Sequence, residues 1–224
     1  MNFIVAIPIY NGVDLLDVAA PYEMFHWMGS LLKSTMQVEV YLAAEQQGTY
    51  LTRDGMQIAA QKVFSELEQV DLLWVPGGNP PDLKRMMNDA VYLNFLRSCK
   101  AEATYLASVC EGALLLAAAG LLDGFTATTH WAFIPCLKKY PNIKIADGYP
   151  RFFVNEYRDA YGTARYVITG GGISSGLDEA LEIVKLIAGE MVAEKVQQTT
   201  QYYPVPPVES RIPGSTSCPL DGVS

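Results

Sequence analysis

Short, unbroken apolar runs alternate along this chain with longer segments whose apolar residues recur at helical spacing. A strand that is apolar at nearly every position has both faces buried. A mostly parallel sheet with helices covering both faces buries strands in that way. The runs at 3–10, 39–43, 71–75 and 105–109 are therefore read as its strands, with 151–155 and 165–169 as late additions. Helices are predicted over 14–28 and 111–121. Two more follow from the repeats Leu83, Met86, Ala90, Leu93, Leu96 and Leu177, Leu181, Val184, Ala188, Met191. Residues 50–60, centred on Asp54-Gly55, read as a hairpin. With 224 residues, 50% of them hydrophobic, the expectation is one α/β domain over 1–203. Beyond Tyr203, prolines at 204, 206, 207, 213 and 219 predict an extended tail over 204–224 that cannot be helical.

Composition removes several function classes. A net charge of −8 is wrong for a nucleic-acid surface, which needs clustered Lys and Arg. The longest apolar run, 113–122, is too short for a bilayer, which takes about 20 residues. The N-terminus lacks the basic region of a signal peptide and reads as a first strand. The expectation is a soluble cytoplasmic protein with neither nucleic-acid nor membrane partner. Cys99, Cys110, Cys136 and Cys218 fall at irregular spacing without a CxxC, so neither a zinc knuckle nor a disulfide scaffold is expected. With His26 and His130 as the only histidines, no histidine-based metal site is expected either.

Cys110 ends the apolar run 105–109 and passes directly into a helix-forming stretch. A thiol on such a strand-to-helix turn meets unpaired N–H groups and the positive end of a helix dipole, which favour thiolate over thiol. The small neighbours Ser108 and Gly112 permit a tight nucleophile elbow. Asp17 is a carboxyl set among apolar residues. Such surroundings raise its pKa, so a Cys110–Asp17 pair would share a proton and could deliver sulfur and hydrogen side by side. Asp14 competes with Asp17 for the helix-capping role. Glu111 and Glu23 are rival carboxyls, and His130 is the partner if a Cys–His pair exists. Glycines at 77–78 and 170–172 lie beyond predicted strand ends, where sheets of this kind bind ligands, and could offer N–H groups to developing negative charge. None belongs to a phosphate loop.

The stretches Val109-Cys110-Glu111-Gly112, Ala119 to Gly124 and Ala127-Thr128-Thr129-His130-Trp131 together resemble the DJ-1/PfpI superfamily. Leu16 to Pro21, Val75-Pro76-Gly77-Gly78 and Gly170 to Asp178 match the same pattern in order. Within the superfamily the chain is most similar to isonitrile hydratases and to the amidotransferase-like N-terminal domains of AraC-type regulators. The resemblance implies a flavodoxin-like three-layer sandwich and a homodimer. It implies Cys110 as nucleophile, Asp17 as its carboxylic partner, and Gly78, Gly171 and Ile173 lining the pocket, with no metal or cofactor. The implied reaction hydrates a small-molecule isonitrile to an N-substituted formamide.

Two departures stand out. PfpI-type enzymes carry His after the cysteine and hydratases usually Thr, whereas this chain has Glu111. Turned into the pocket, Glu111 would raise the Cys110 pKa and repel anions. Asn79-Pro80-Pro81 replaces further glycines and stiffens a pocket wall. The competing expectation is a non-enzymatic module sensing a metabolite or oxidant through Cys110. A regulator would also need a helix-turn-helix segment, and none is read before Ser224.

Overall fold

The computed structural model describes residues 2–223. Met1 and Ser224, the outermost residues of the expected domain and tail, lie outside the described residues. The chain runs β1 (Asn2–Pro8), α1 (Leu15–Leu32), β2 (Gln37–Ala44), a hairpin of β3 (Thr49–Leu51) and β4 (Gln57–Ala59), β5 (Lys62–Val63) and β6 (Leu72–Val75). Then come α2 (Pro80–Met86), α3 (Ala90–Glu102), β7 (Tyr105–Ser108), α4 (Gly112–Ala118), β8 (Thr126–Ala127), α5 (Ile134–Leu137) and β9 (Lys144–Ile145). β10 (Phe152–Arg158), β11 (Ala164–Gly170), α6 (Ser175–Ala188) and α7 (Glu190–Thr200) complete the regular elements before the tail.

Seven strands form the main sheet in the order β10-β11-β7-β6-β1-β2-β5. All neighbours are parallel except β10, which runs antiparallel to β11 on the edge. β6 and β7 are buried at every position, because helices cover both of their faces. On one side α1, α6 and α7 contact one another; on the other, α3 and α5 contact α4. The result is the expected flavodoxin-like three-layer α/β sandwich. The chain turns to opposite sides of the sheet after β1 and after β6, so the loops beyond these two strands flank a topological switch point.

Local chemistry broke two of the expected helices. The repeat from Leu83 to Leu96 spans α2 and α3, because Asp89 accepts a hydrogen bond from the Tyr92 N–H at 3.0 Å and caps a new helix. Asn79 caps α2 in the same way, with Pro80 in the first turn, where its missing N–H costs nothing. The last repeat spans α6 and α7, divided at Gly189 with φ +85°. Met191 therefore falls on α7 at 80% exposure, away from the buried face on which the repeat put it.

The tail departs from expectation twice. It ends in a short 3-10 turn, Pro219–Gly222, which a proline can begin although it cannot sit inside a longer helix. Cys218 also forms a disulfide with Cys136. The two lie 82 residues apart in sequence, a pairing that local spacing cannot reveal.

Candidate active site

Cys110 takes φ +54°, in the left-handed region. A residue with a Cβ pays roughly 1–2 kcal/mol there, so surrounding bonds must hold it. Its N–H donates to the Gly171 carbonyl at 2.8 Å, and its carbonyl accepts from the Thr129 hydroxyl at 2.7 Å. Two glycines make the turn sterically possible. A Cβ on Gly112 would stand 2.0 Å from the Val75 carbonyl oxygen, and one on Gly77 would stand 2.5 Å from Glu111 Oε2. The predicted elbow is present, packed against the ends of β6 and β11.

Asp17 is placed by a proline. Pro21 lies inside α1 and has no N–H to give the carbonyl four residues earlier, which is that of Asp17. The freed oxygen accepts instead from Trp74 Nε1 at 2.9 Å, tying the first turns of α1 to β6. The Asp17 carboxyl then turns inward, fully buried, where Oδ2 accepts from the Gly77 N–H at 2.9 Å and Oδ1 has no partner among the described residues.

Ligating atoms of Asp14, Asp17, Cys110 and Glu111 all lie within 4.8 Å of one another, and all four residues are buried. Asp14 makes no capping bond at the start of α1; it pairs with Arg53 at 3.1 Å. Arg53 comes from the turn of the β3–β4 hairpin, which a bridge between Val13 and Thr52 holds against the first loop. One guanidinium faces three carboxyls and a thiol, so the cluster keeps protons. Burial foremost, then Glu111 and Asp14, raises the Asp17 carboxyl well above its usual range. Burial also raises Asp14, against the opposing pull of Arg53. Glu111 is pushed up to about 7, chiefly by burial.

The thiol follows the same logic. Burial, then the charges of Asp17 and Glu111, lifts Cys110 well above its ordinary value. The helix dipole that favours thiolate is outweighed, because the residue is only 1% exposed and ringed by acids. Glu111 thus turns inward beside the thiol. Its four-residue set could chelate a divalent cation only by giving up these protons.

Beside the elbow lies a cavity of about 390 Å³, lined in part by Leu16, Thr129, His130, Gly171, Ile173 and Ile212. Thr129 and Gly171 are the residues that grip the Cys110 main chain, so the cavity abuts the elbow. Of the expected pocket residues, Gly171 and Ile173 line this cavity. Gly78 and Glu111 do not: an antiparallel bridge to Val13 turns Gly78 toward Tyr10 and Gly12, and Glu111 is buried in the acid cluster. The glycine that touches the cluster is Gly77. His130 is a cavity wall residue whose Nδ1 accepts from the Ala132 N–H at 3.2 Å, and burial lowers its pKa. Glu23 sits on the exposed side of α1, bonded to Trp27. Of the glycines expected to offer N–H groups, Gly77 donates to Asp17 and Gly171 to the Arg151 carbonyl; the elbow's own Cys110 and Gly112 N–H groups are taken by the Gly171 and Val109 carbonyls.

Residues 4–186 match the family model described as the DJ-1/PfpI family. An isonitrile hydratase of Pseudomonas putida is 34% identical over 205 residues, covering 92% of this chain and 81% of that protein. A crystal structure of a ThiJ/PfpI family protein from Pseudomonas syringae superposes with a TM-score of 0.78 at 30% identity, over 93% of this chain and 78% of that one. An HTH-type transcriptional regulator, CdhR of Pseudomonas aeruginosa, is 28% identical over 151 residues, 67% of this chain but 41% of the regulator. By the extent of these matches, the chain belongs to the DJ-1/PfpI family.

Proposed function

We propose that this protein is a cofactor-free hydratase that converts isonitriles to N-substituted formamides, with Cys110 as nucleophile and Asp17 as proton donor. One observation carries the reading: the Cys110 thiol on its strained elbow and the Asp17 carboxyl of α1, whose pKa burial raises, are both buried and stand within 4.8 Å of each other. The 34% identity to an isonitrile hydratase supports the substrate class.

An isonitrile carbon accepts both a nucleophile and a proton. The Cys110 sulfur bonds to that carbon while its own proton passes to the Glu111 carboxylate, which titrates near neutrality and suits a base at pH 7. Asp17 gives its proton to the same carbon, completing a thioimidate, and Glu111 returns the thiol's proton to Asp17. Water then adds to the thioimidate carbon. One water proton goes to the nitrogen, the C–S bond breaks as the formyl C=O forms, sulfur takes the other water proton, and the formamide leaves. Each turnover consumes one isonitrile and one water and restores every protein proton.

The oxidant-sensor alternative draws less support. Sensor thiols are exposed and of low pKa, and Cys110 is neither. A homodimer belongs to the same proposal: α1 leaves Leu16, Trp27 and Leu31 at 41%, 38% and 43% exposure, an apolar strip fit for a second copy. Sedimentation at the monomer mass would overturn that part. For the reaction, wild type, Cys110→Ser and Asp17→Asn are incubated with a panel of alkyl and aryl isonitriles, and formamide is measured by mass spectrometry. Turnover by wild type, and its loss in both variants, is expected. No formamide from wild type across the panel sinks the hydratase reading.

A further inference from the structure

The segment that follows α7 returns to the site. It is anchored on both sides of Ile212. Before it, the Tyr202 hydroxyl donates to Asp178 at 3.0 Å, and Asp178 in turn pairs with Arg151 of the cavity wall. After it, Gly214 takes φ +73° and passes so near Tyr149, another wall residue, that a Cβ would stand 3.3 Å from its hydroxyl. Cys218 is then bonded to Cys136 in α5, directly after the turn that brings His130 and Trp131 to the cavity. Lys139 pairs with Asp221, and Lys84 donates to the Val223 carbonyl. Between these anchors Ile212 stands half exposed, with the rest of its side chain lining the cavity.

We propose that the tail roofs the substrate cavity, that the Cys136–Cys218 disulfide pins the roof, and that Ile212 determines specificity by limiting the isonitrile substituent to compact, neutral, apolar groups. The substrate class rests on the proposed hydratase activity; the roof rests on geometry alone. The wall composition supports neutrality. Leu16, Pro150, Ile173 and Ile212 supply apolar surface. The one guanidinium in the wall, Arg151, is engaged by Asp178 and by the Ser174 carbonyl at 2.8 Å. Burial lowers the pKa of His130, which favours its neutral form.

The test compares wild type with Ile212→Ala, Ile212→Trp and the double variant Cys136→Ala/Cys218→Ala in the full chain. One readout is kcat/KM for adamantyl against methyl isonitrile. The other needs no turnover: the rate of Cys110 alkylation by N-pyrenylmaleimide against iodoacetamide, mapped by peptide mass spectrometry. Ile212→Ala should raise the bulky-to-small ratio about tenfold in both readouts, the scale a hydrophobic pocket imposes on size. Ile212→Trp should lower it, and the double variant should raise it with Ile212 intact. Ratios unchanged in every variant overturn the roof, whether or not formamide forms. A shifted alkylation ratio in a protein that makes no formamide keeps the roof and removes the hydratase.

Discussion

Replacing Glu111 with Gln keeps the shape of the side chain and removes its ability to ionise, which makes it the sharpest probe of the buried acid cluster. Burial lifts the Glu111 carboxyl from its ordinary 4.5 to about 7. At 1.36 kcal/mol per pH unit that displacement is worth about 3 kcal/mol. The sign follows from proton binding. Between pH 4.5 and 7 the folded protein holds a proton on Glu111 that the unfolded chain has released. Stability therefore falls as pH rises through this window, by about 1.4 kcal/mol per unit, and levels off above it. The contribution is fully present below 4.5 and lost above 7.

The Gln variant has no such slope. Its urea-unfolding free energy, measured at pH 5, 6, 7 and 8 beside wild type, should gain on wild type steadily. The change in the difference should approach about 3 kcal/mol over the whole window. Removing the Glu111 charge also relieves Asp17 and Cys110, whose pKa values it helps raise, which adds to the gain at high pH. A difference between the two proteins that stays constant from pH 5 to pH 8 would refute the reasoning. It would mean that Glu111 is not desolvated beside the thiol.

Catalysis should track the same groups. kcat/KM for an isonitrile should rise through pH 7 as Glu111 becomes a base, and Glu111→Gln should lower it about a hundredfold and erase the rising limb. A profile flat from pH 5 to 9 would contradict this. The Cys110 alkylation rate should still be climbing at pH 9, because the thiol titrates well above its usual value; a plateau by pH 8 would show an exposed thiolate instead. Reducing the Cys136–Cys218 bond opens a loop spanning 82 residues of sequence. On chain entropy this should cost about 4 kcal/mol, a fall in Tm on the order of 10 °C. A Tm unmoved by reductant would show that the bond contributes nothing.

What the sequence disclosed was local. Runs such as Leu72-Leu73-Trp74-Val75 announce a doubly buried strand because every residue in them is apolar. Cys110 announces an elbow because the thiol directly ends an apolar strand and a glycine follows two residues later. The breaks at Asp89 and Gly189 were hidden because the apolar repeat continues across each. A cap or a positive φ redirects the chain without altering that repeat. Arg53 was hidden because its role depends on a hairpin docking 39 residues from Asp14. The disulfide was hidden for the same reason. The thiolate expectation failed on a balance of terms: dipole and N–H groups were legible beside Cys110, while the depth of burial and the convergence of three carboxyls were not.

That convergence bears on which chemistry the site suits. Acyl transfer builds negative charge on oxygen and needs free donors to receive it. Here the main-chain N–H groups of Gly77, Cys110, Gly112 and Gly171 are already bonded, which leaves few donors in these loops, and the side chains nearest the thiol are acids. An oxyanion placed among Asp17, Glu111 and Asp14 would be repelled as soon as any of them ionised. Addition to an isonitrile puts the new proton on carbon and leaves no oxyanion on the substrate in the first step. What it asks for is a carboxylic acid beside a nucleophile, together with a base to take the nucleophile's proton. In the proposed reaction Asp17 and Glu111, both raised by burial around one thiol, divide those two duties between them. The charge arrangement that is unfavourable for a hydrolase is thus the one that a neutral substrate, protonated at carbon, requires.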